Sequence, residues 1–594
     1  MSIQLPSIFS SGMVLAKKAR IWGFTDSEQP VHIQFQGQNH SVTPVADSKS
    51  PMGYSFEQII ESPDFGGPHA LTIGEHTLTD VYIGRVFLCG GQSNMEQPLS
   101  RALGFEQYLK ADSRIHAFQV EKNLHFGQPK TDVKGQWETY TGDFNHLFGV
   151  PYFFARKVLE SLADDVPIGL LNVAAGGTPV ESWLSEAVIE KHVPEAYERL
   201  QPYKNPAHVD QLVSAGDARW QTWFGDLTFE SDAEWQTTDL LAPVMHTPGV
   251  VVYRKALPYL AGELQLHLGR VIDSVRVFIN GQAVGRVDYQ YPPAVFTIPD
   301  GVLKSDETNW IELQVLGETQ PPYFVAGKTY ALSNQAGETV ALSRDWQYKI
   351  TMVKAPHEGG VWFYNFATGC YNYMLAPVIK YGIDGFLWYQ GESNTGDPQG
   401  YAAKFELLVD SIREYNPDVP VYYVQLANLV NPNAPWPADK KYSTYNMGTG
   451  WPALREEQRK NLSIPGAHMA VIIDCGEYND LHPADKKTVG ERLALLYLNP
   501  SNTGPVVSGH TLVDGVLTIT FEQGAGLWSK NGRPLLDFGN HQMMEAKVIG
   551  ETLMVDVSGL VVKPTVARFG WSDNPSVVLY NAAGLPASPF EIVL

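Results

Sequence analysis

Short, almost wholly apolar segments recur in two separated stretches of this chain. Each is bounded by glycine or a turn, and each alternates with a segment of helical spacing. Residues 81–89 are apolar except at Gly84 and Arg85 and run into Gly90-Gly91; residues 168–173 run into Ala175-Gly176-Gly177. Runs of this kind read as strands covered on both faces, as in a parallel sheet. Between them, Phe154, Val158, Leu159 and Leu162 share one face of a helix expected over 148–162. The rhythm resumes near residue 368, with helices expected over 371–381, 401–415, 452–461 and 483–498. Strands are expected over 385–389, 421–426 and 469–473. Pro483 suits the first turn of the closing helix. Strands alternating with helices imply an α/β domain built on a doubly wound parallel sheet, expected over 81–215 and 350–500.

Three regions break that rhythm and read as β structure. In residues 1–80, Val31, Ile33 and Phe35 alternate with polar neighbours. In residues 216–349, Val275, Val277 and Ile279 lead into Asn280-Gly281, a strong hairpin signal, and 310–315 alternates. Residues 501–594 carry a clear strand at 516–521. The 216–349 segment is therefore read as a β domain inserted in the α/β domain, because insertions at surface loops cost little. A length of 594 residues accommodates several such cores.

The net charge of −21 disfavours binding to nucleic acid and to anionic membranes, so neither is expected as a partner. Three cysteines, Cys89, Cys370 and Cys475, form neither a disulfide scaffold nor a metal-type spacing and are read as buried thiols. The first fifteen residues lack a basic start followed by an apolar core, and no apolar run reaches the length of a membrane span. A cytoplasmic protein is the expectation. Aromatic residues are plentiful; Trp310, for one, is read as core rather than as a platform for a sugar ring.

Chemistry concentrates at four places expected to lie at strand ends, where doubly wound sheets form their sites. The first, Gly90 to Met95, presents Ser93 after a glycine turn, as a nucleophile or as a helix cap. The second, Gly176-Gly177-Thr178-Pro179, frees backbone N–H groups for an oxyanion, or simply turns the chain. The third, Trp388 to Asn394, groups Gln390, Glu392 and Asn394. The fourth, Asp480-Leu481-His482-Pro483, sets a histidine beside an acid. Asp474, Glu477, Asp480 and His482 lie close enough in sequence to raise a metal site, but zinc-type spacing is missing and no metal is expected.

Taken together and in this order, the four blocks resemble those of the SGNH hydrolase superfamily, in its sialate O-acetylesterase branch. Residues 5–15 resemble the β domain that begins these enzymes. Residues 371–377 resemble the helix before the third block, and residues 277–282 resemble the jelly-roll-like domain inserted in this branch. The resemblance implies Ser93 as nucleophile, His482 as general base and then acid, and Asp480 as the orienting acid, with Glu392 an alternative. It implies an oxyanion hole from the N–H groups of Ser93 and Gly177 and a third donor, Gln390 or Asn394, with Gln390 preferred. Gln92, Asn94, Glu392, Asn394 and Asn372 are the positions expected to touch substrate. The third block departs from the superfamily's Gly-x-Asn, and Asp480 stands two residues before His482 where the superfamily has three.

The implied activity is removal of O-acetyl groups from sialic acid or a related small sugar, with no cofactor. Two other readings compete. One is deacetylation of xylan or another glycan on the same scaffold. The other is a carbohydrate-binding protein with a vestigial site.

Overall fold

The computed structural model describes residues 1–108, 111–122, 126–140, 147–163, 165–225, 227–291, 293–355, 362–430, 450–530, 532–539 and 542–594. It is a mixed α/β structure with many sheets. One compact unit holds the described residues of 1–204 and 363–594; a second holds those of 205–362.

In the first unit, the apolar run 81–89 is not one strand. It divides at Gly84. His76–Ile83 joins an N-terminal sheet, and Arg85–Gly91 (β1) enters another. Glycine is required at the junction, since a Cβ on Gly84 would lie 2.2 Å from the Pro167 carbonyl oxygen.

Around β1 stands a seven-stranded sheet. Its other members are Ile115–Gln119 (β2), Trp137–Thr139 (β3), Ile168–Ala174 (β4), Gly385–Tyr389 (β5), Val421–Gln425 (β6) and Ala467–Val471 (β7). The order is β3-β2-β4-β1-β5-β6-β7. Only β3 runs antiparallel to its neighbour. Every residue of β4, β5 and β6 is buried, which explains their largely apolar sequences; Asn172 of β4 and Gln425 of β6 are the polar exceptions. Parallel neighbours need long crossovers. Among these are the helices Gly149–Leu159 (α2), Tyr401–Arg413 (α3) and Trp451–Lys460 (α4), while Lys486–Leu498 (α5) follows β7. A four-residue helix, Ser93–Glu96 (α1), follows β1 directly.

Register aligns the strand ends that matter. Gly91 pairs with Ala174 on one side and with Tyr389 on the other. The segments after β1, β4 and β5 therefore leave the sheet at one level. Strand order also runs in opposite directions away from β1, the condition that opens a crevice at carboxyl ends.

Two expected helices differ. Residues 371–381 contain a π-helical segment, Tyr371–Leu375, rather than a continuous α-helix. The closing helix starts at Lys486, not Pro483, because Asp485 caps it by accepting the Thr488 N–H at 2.9 Å.

In the second unit, a six-stranded sheet and a four-stranded sheet share one apolar core that includes Val251, Leu266, Ile311, Leu313 and Leu332. The Asn280-Gly281 hairpin joins Ser274–Ile279 to Gln282–Val287 with φ of 51° and 77° at the two turn residues, as a type I′ turn demands. Residues 216–225, read as β from the sequence, belong to the helix Pro206–Gly225. Its buried residues Val209, Gly216 and Trp223 are seven apart, two helical turns, which sets one inward stripe.

Candidate active site

Strand β1 ends at Gly91, whose φ of +139° and close fit against β5 admit no side chain: a Cβ would lie 2.1 Å from the Tyr389 carbonyl oxygen. The Gln92 N–H then donates to that same oxygen at 3.0 Å. The chain turns sharply into α1, and Ser93 emerges partly exposed. From the far side of the sheet, the loop after β7 brings His482 to it. His482 Nε2 and Ser93 Oγ are 2.8 Å apart, across 389 residues of sequence. That distance lets the imidazole take the hydroxyl proton directly. The Asp480 carboxylate accepts the His482 main-chain N–H at 2.9 Å, which holds the turn carrying the histidine.

The glycine block after β4 abuts the serine. The Gly176 N–H donates to Glu96 Oε2 at 2.7 Å, and the other oxygen of that carboxylate pairs with Lys122. A Cβ on Gly176 would lie 3.3 Å from Ser93 Cβ. Gly177 is exposed and sits at φ +75°. Neither the Ser93 nor the Gly177 N–H donates to an acceptor among the described residues. Both therefore remain available to a developing oxyanion. Gly176→Ala is expected to lower the rate about 10- to 100-fold with little loss of stability, because a shift of the serine of less than an ångström already misaligns attack. Steady-state kinetics beside a thermal melt checks this; an unchanged rate would contradict it.

Gln390 does not supply the third donor. It is fully buried, and its amide group donates to the Thr178 carbonyl at 3.1 Å and to Asn394 Oδ1 at 2.7 Å, while Tyr401 donates to its Oε1 at 2.8 Å. Both amide hydrogens are thus engaged. Asn394 is tied in likewise: its Oδ1 also accepts the Val180 N–H at 2.9 Å, and its Nδ2 donates to Glu181 Oε2 at 2.9 Å. Burial works against the Glu181 charge, but the Lys404 ammonium and the Asn394 amide outweigh it and hold this carboxyl below the usual range.

The five residues expected to touch substrate are all buried and form the frame beneath the pair instead. Gln92 Oε1 accepts the N–H groups of Gly391 and Ser393 at 3.4 and 3.2 Å. Asn372 lies on the π-helical segment and donates to the Gly127 carbonyl at 2.6 Å. For the four amides the physical reason is common: loops carry backbone groups with no ladder partner, and amide side chains satisfy them.

Asn94 and Glu392 belong to a buried polar chain. Asn94 Nδ2 donates to Glu392 Oε1 at 2.5 Å and to the carbonyl of Leu481 at 2.9 Å; Asn94 Oδ1 accepts from Lys486 Nζ at 2.5 Å. One amide thus links the residue after Ser93 to the residue before His482. Burial pushes Lys486 down to about 8, against the attraction of Glu392 and three further carboxylates. Burial also pushes the Glu392 carboxyl up, opposed by Asn94 and Lys486. Sequence reading missed Lys486. The available signal was a lysine in the first turn of a helix, where the dipole disfavours a cation.

The acids near His482 have other duties. Asp474 pairs with Arg492 at 2.5 and 2.9 Å, and Glu477 accepts the Ala484 N–H at 3.2 Å. Among the described residues no group of three or more His, Cys, Asp or Glu is placed to hold a metal ion. No described helix is long and apolar enough to cross a membrane.

Comparison with known proteins adds three findings. The family model described as carbohydrate esterase, sialic acid-specific acetylesterase matches residues 83–206 and 336–498, which include all four blocks. Sialate O-acetylesterase of Mus musculus is 28% identical over 207 residues, 31% of this chain and 38% of that protein. The Homo sapiens counterpart is 27% identical over 207 residues, 30% of this chain and 38% of its own length. The matched part thus spans 38% of the length of these relatives. A carbohydrate acetylesterase from Xanthomonas citri superposes with a TM-score of 0.62 at 21% identity, over 100% of this chain and 99% of that one, a likeness of fold from end to end.

Proposed function

We propose that the protein removes O-acetyl groups from sialic acid or a related small acetylated sugar; residues 83–206 and 336–498 match the family model described as carbohydrate esterase, sialic acid-specific acetylesterase. The scaffold in this reading is an SGNH-type doubly wound domain with N-terminal, inserted and C-terminal β domains. The observation that carries the proposal is the 2.8 Å approach of His482 Nε2 to Ser93 Oγ at the aligned ends of the sheet.

The steps follow from that contact. His482 takes the Ser93 proton as Oγ attacks the acetyl carbonyl carbon. The N–H groups of Ser93 and Gly177 receive the negative charge that develops on the carbonyl oxygen; one such donor is typically worth about 10²–10³ in rate. The bond to the sugar oxygen breaks, and the imidazolium returns its proton to that oxygen. Water then attacks the acetyl carbon as His482 takes its proton; the Ser93 Oγ–acyl bond breaks, the imidazolium returns the proton to Oγ, and acetate leaves. Asp480 orients the histidine through its loop. No step calls for a cofactor.

A fluorophosphonate probe tests the reading. It is expected to label Ser93, found by peptide mapping, and to stop acetate release in proportion to labelling. Full activity in the labelled protein would sink the serine mechanism. Asp480→Asn is expected to be milder than His482→Ala, because asparagine retains an oxygen to accept the His482 N–H. The reverse order in kcat would point to a different orienting group.

A further inference from the structure

Trp310 stands on the solvent side of the six-stranded sheet of the second unit. It is 41% exposed, although its strand neighbours Asn309 and Ile311 are buried. Register explains the opening. Trp310 pairs with Ala256, whose side chain ends at Cβ; two residues along, Arg254 pairs with Gln347. Cross-strand partners share a face of the sheet, so these four residues line one surface. The Arg254 guanidinium lies 3.9 Å from the Trp235 ring centroid and 5.2 Å from that of Trp310, and its Nε donates to Gln347 Oε1 at 2.8 Å. The cation is thus fixed by stacking and by a hydrogen bond. A groove of about 560 Å³ opens here, with Thr237 also in its wall. That falls within the roughly 300–1,000 Å³ of ligand pockets.

We propose that this groove binds a neutral oligosaccharide, with one pyranose ring seated on the Trp310 indole and Thr237, Arg254 and Gln347 facing its hydroxyls. That the occupant is a carbohydrate rests on the function proposed above; the groove itself shares no residue with the Ser93 site. An exposed indole offers a flat apolar face beside a polar edge, which matches a sugar's C–H face and hydroxyl rim. The charges in the groove wall balance, Arg254 and Lys255 against Asp239 and Asp345. This balance favours an uncharged ring over a carboxylated one.

Calorimetric titration of the whole chain carrying Ser93→Ala tests the proposal. Xylohexaose and cellohexaose serve as neutral probes, and sialyllactose as the charged one. At least one hexasaccharide is expected to bind at least tenfold more tightly than it binds the Ser93→Ala/Trp310→Ala double variant, with Trp310→Phe recovering much of the loss. Equal affinity without the indole, no binding of either hexasaccharide, or binding confined to sialyllactose would overturn it. Trp310→Ala in the otherwise unchanged chain should keep its rate on a small aryl acetate. Failure of the groove and failure of the esterase reading therefore show in different assays.

Discussion

Ser93→Ala is expected to lower acetate release by at least about 10⁴-fold while leaving the melting temperature within about 2 °C of the parent. The rate effect follows from removing the atom that forms the covalent intermediate in the proposed mechanism. What remains is catalysis by the oxyanion donors and by binding, typically about 10³–10⁴ over water. The small stability effect follows from position. Ser93 is partly exposed at the start of a four-residue helix, and losing one hydroxyl there strands no fully buried group. Rate and melting curve should be measured on the same preparation. A variant with near-parent activity would remove the nucleophile assignment; a variant that fails to fold would contradict the placement of Ser93 at the surface of the cleft.

Lys486→Met is expected to destabilise the protein by about 3–5 kcal/mol, the range for removing one partner from a buried charged pair. Lys486 is 1% exposed. Its ammonium holds Asn94, and Asn94 holds the Glu392 carboxylate and the loop before His482. Without the cation, the Glu392 charge is buried uncompensated and the amide loses a donor. Adding Glu392→Gln to Lys486→Met should restore part of the stability, because the orphaned charge is then gone. Denaturant titration of the single and double variants checks both statements. A double variant no more stable than the single one would contradict the coupling.

The same residue carries a pH signature. The Lys486 pKa is lowered on folding, from 10.5 to about 8. Below pH 8 both states hold the proton, and the folded state bears the full cost of burying the charge. Between about pH 8 and 10.5 the unfolded state binds more protons, so stability from this group rises with pH. The parent should therefore gain stability relative to Lys486→Met across that window. Parallel stability curves would show that the Lys486 pKa is not lowered on folding.

How far the sequence anticipated this structure varies with what fixes each residue. Strands such as Gly385–Tyr389 were legible because burial on both faces leaves no polar position in the run. Ser93 and His482 were placed at strand ends by the glycine turns and by Pro483, and their pairing came from the resemblance to the SGNH superfamily; the structure sets Oγ and Nε2 2.8 Å apart. Gln390 was not, because its side chain turns inward to Thr178 and Asn394, and direction after a strand end depends on loop contacts from elsewhere. Lys486 was hidden by the cap at Asp485, which moves the helix start three residues past Pro483. Trp310 was misread as core although its phase was visible: it alternates with buried Ile311, Leu313 and Val315 and shares a face with Glu312 and Gln314. Aromatic character outweighed register in that reading, and register decides the face.

The most direct test of the central claim is acetate released by the unmodified chain from O-acetylated sialic acids, with acetylated xylo-oligosaccharides in parallel. The account predicts acetate from the sialic acids, abolished by Ser93→Ala. Release from xylo-oligosaccharides alone would keep the chemistry and contradict the substrate class. No release from either sugar would contradict the account of this cleft as a sugar O-acetylesterase site.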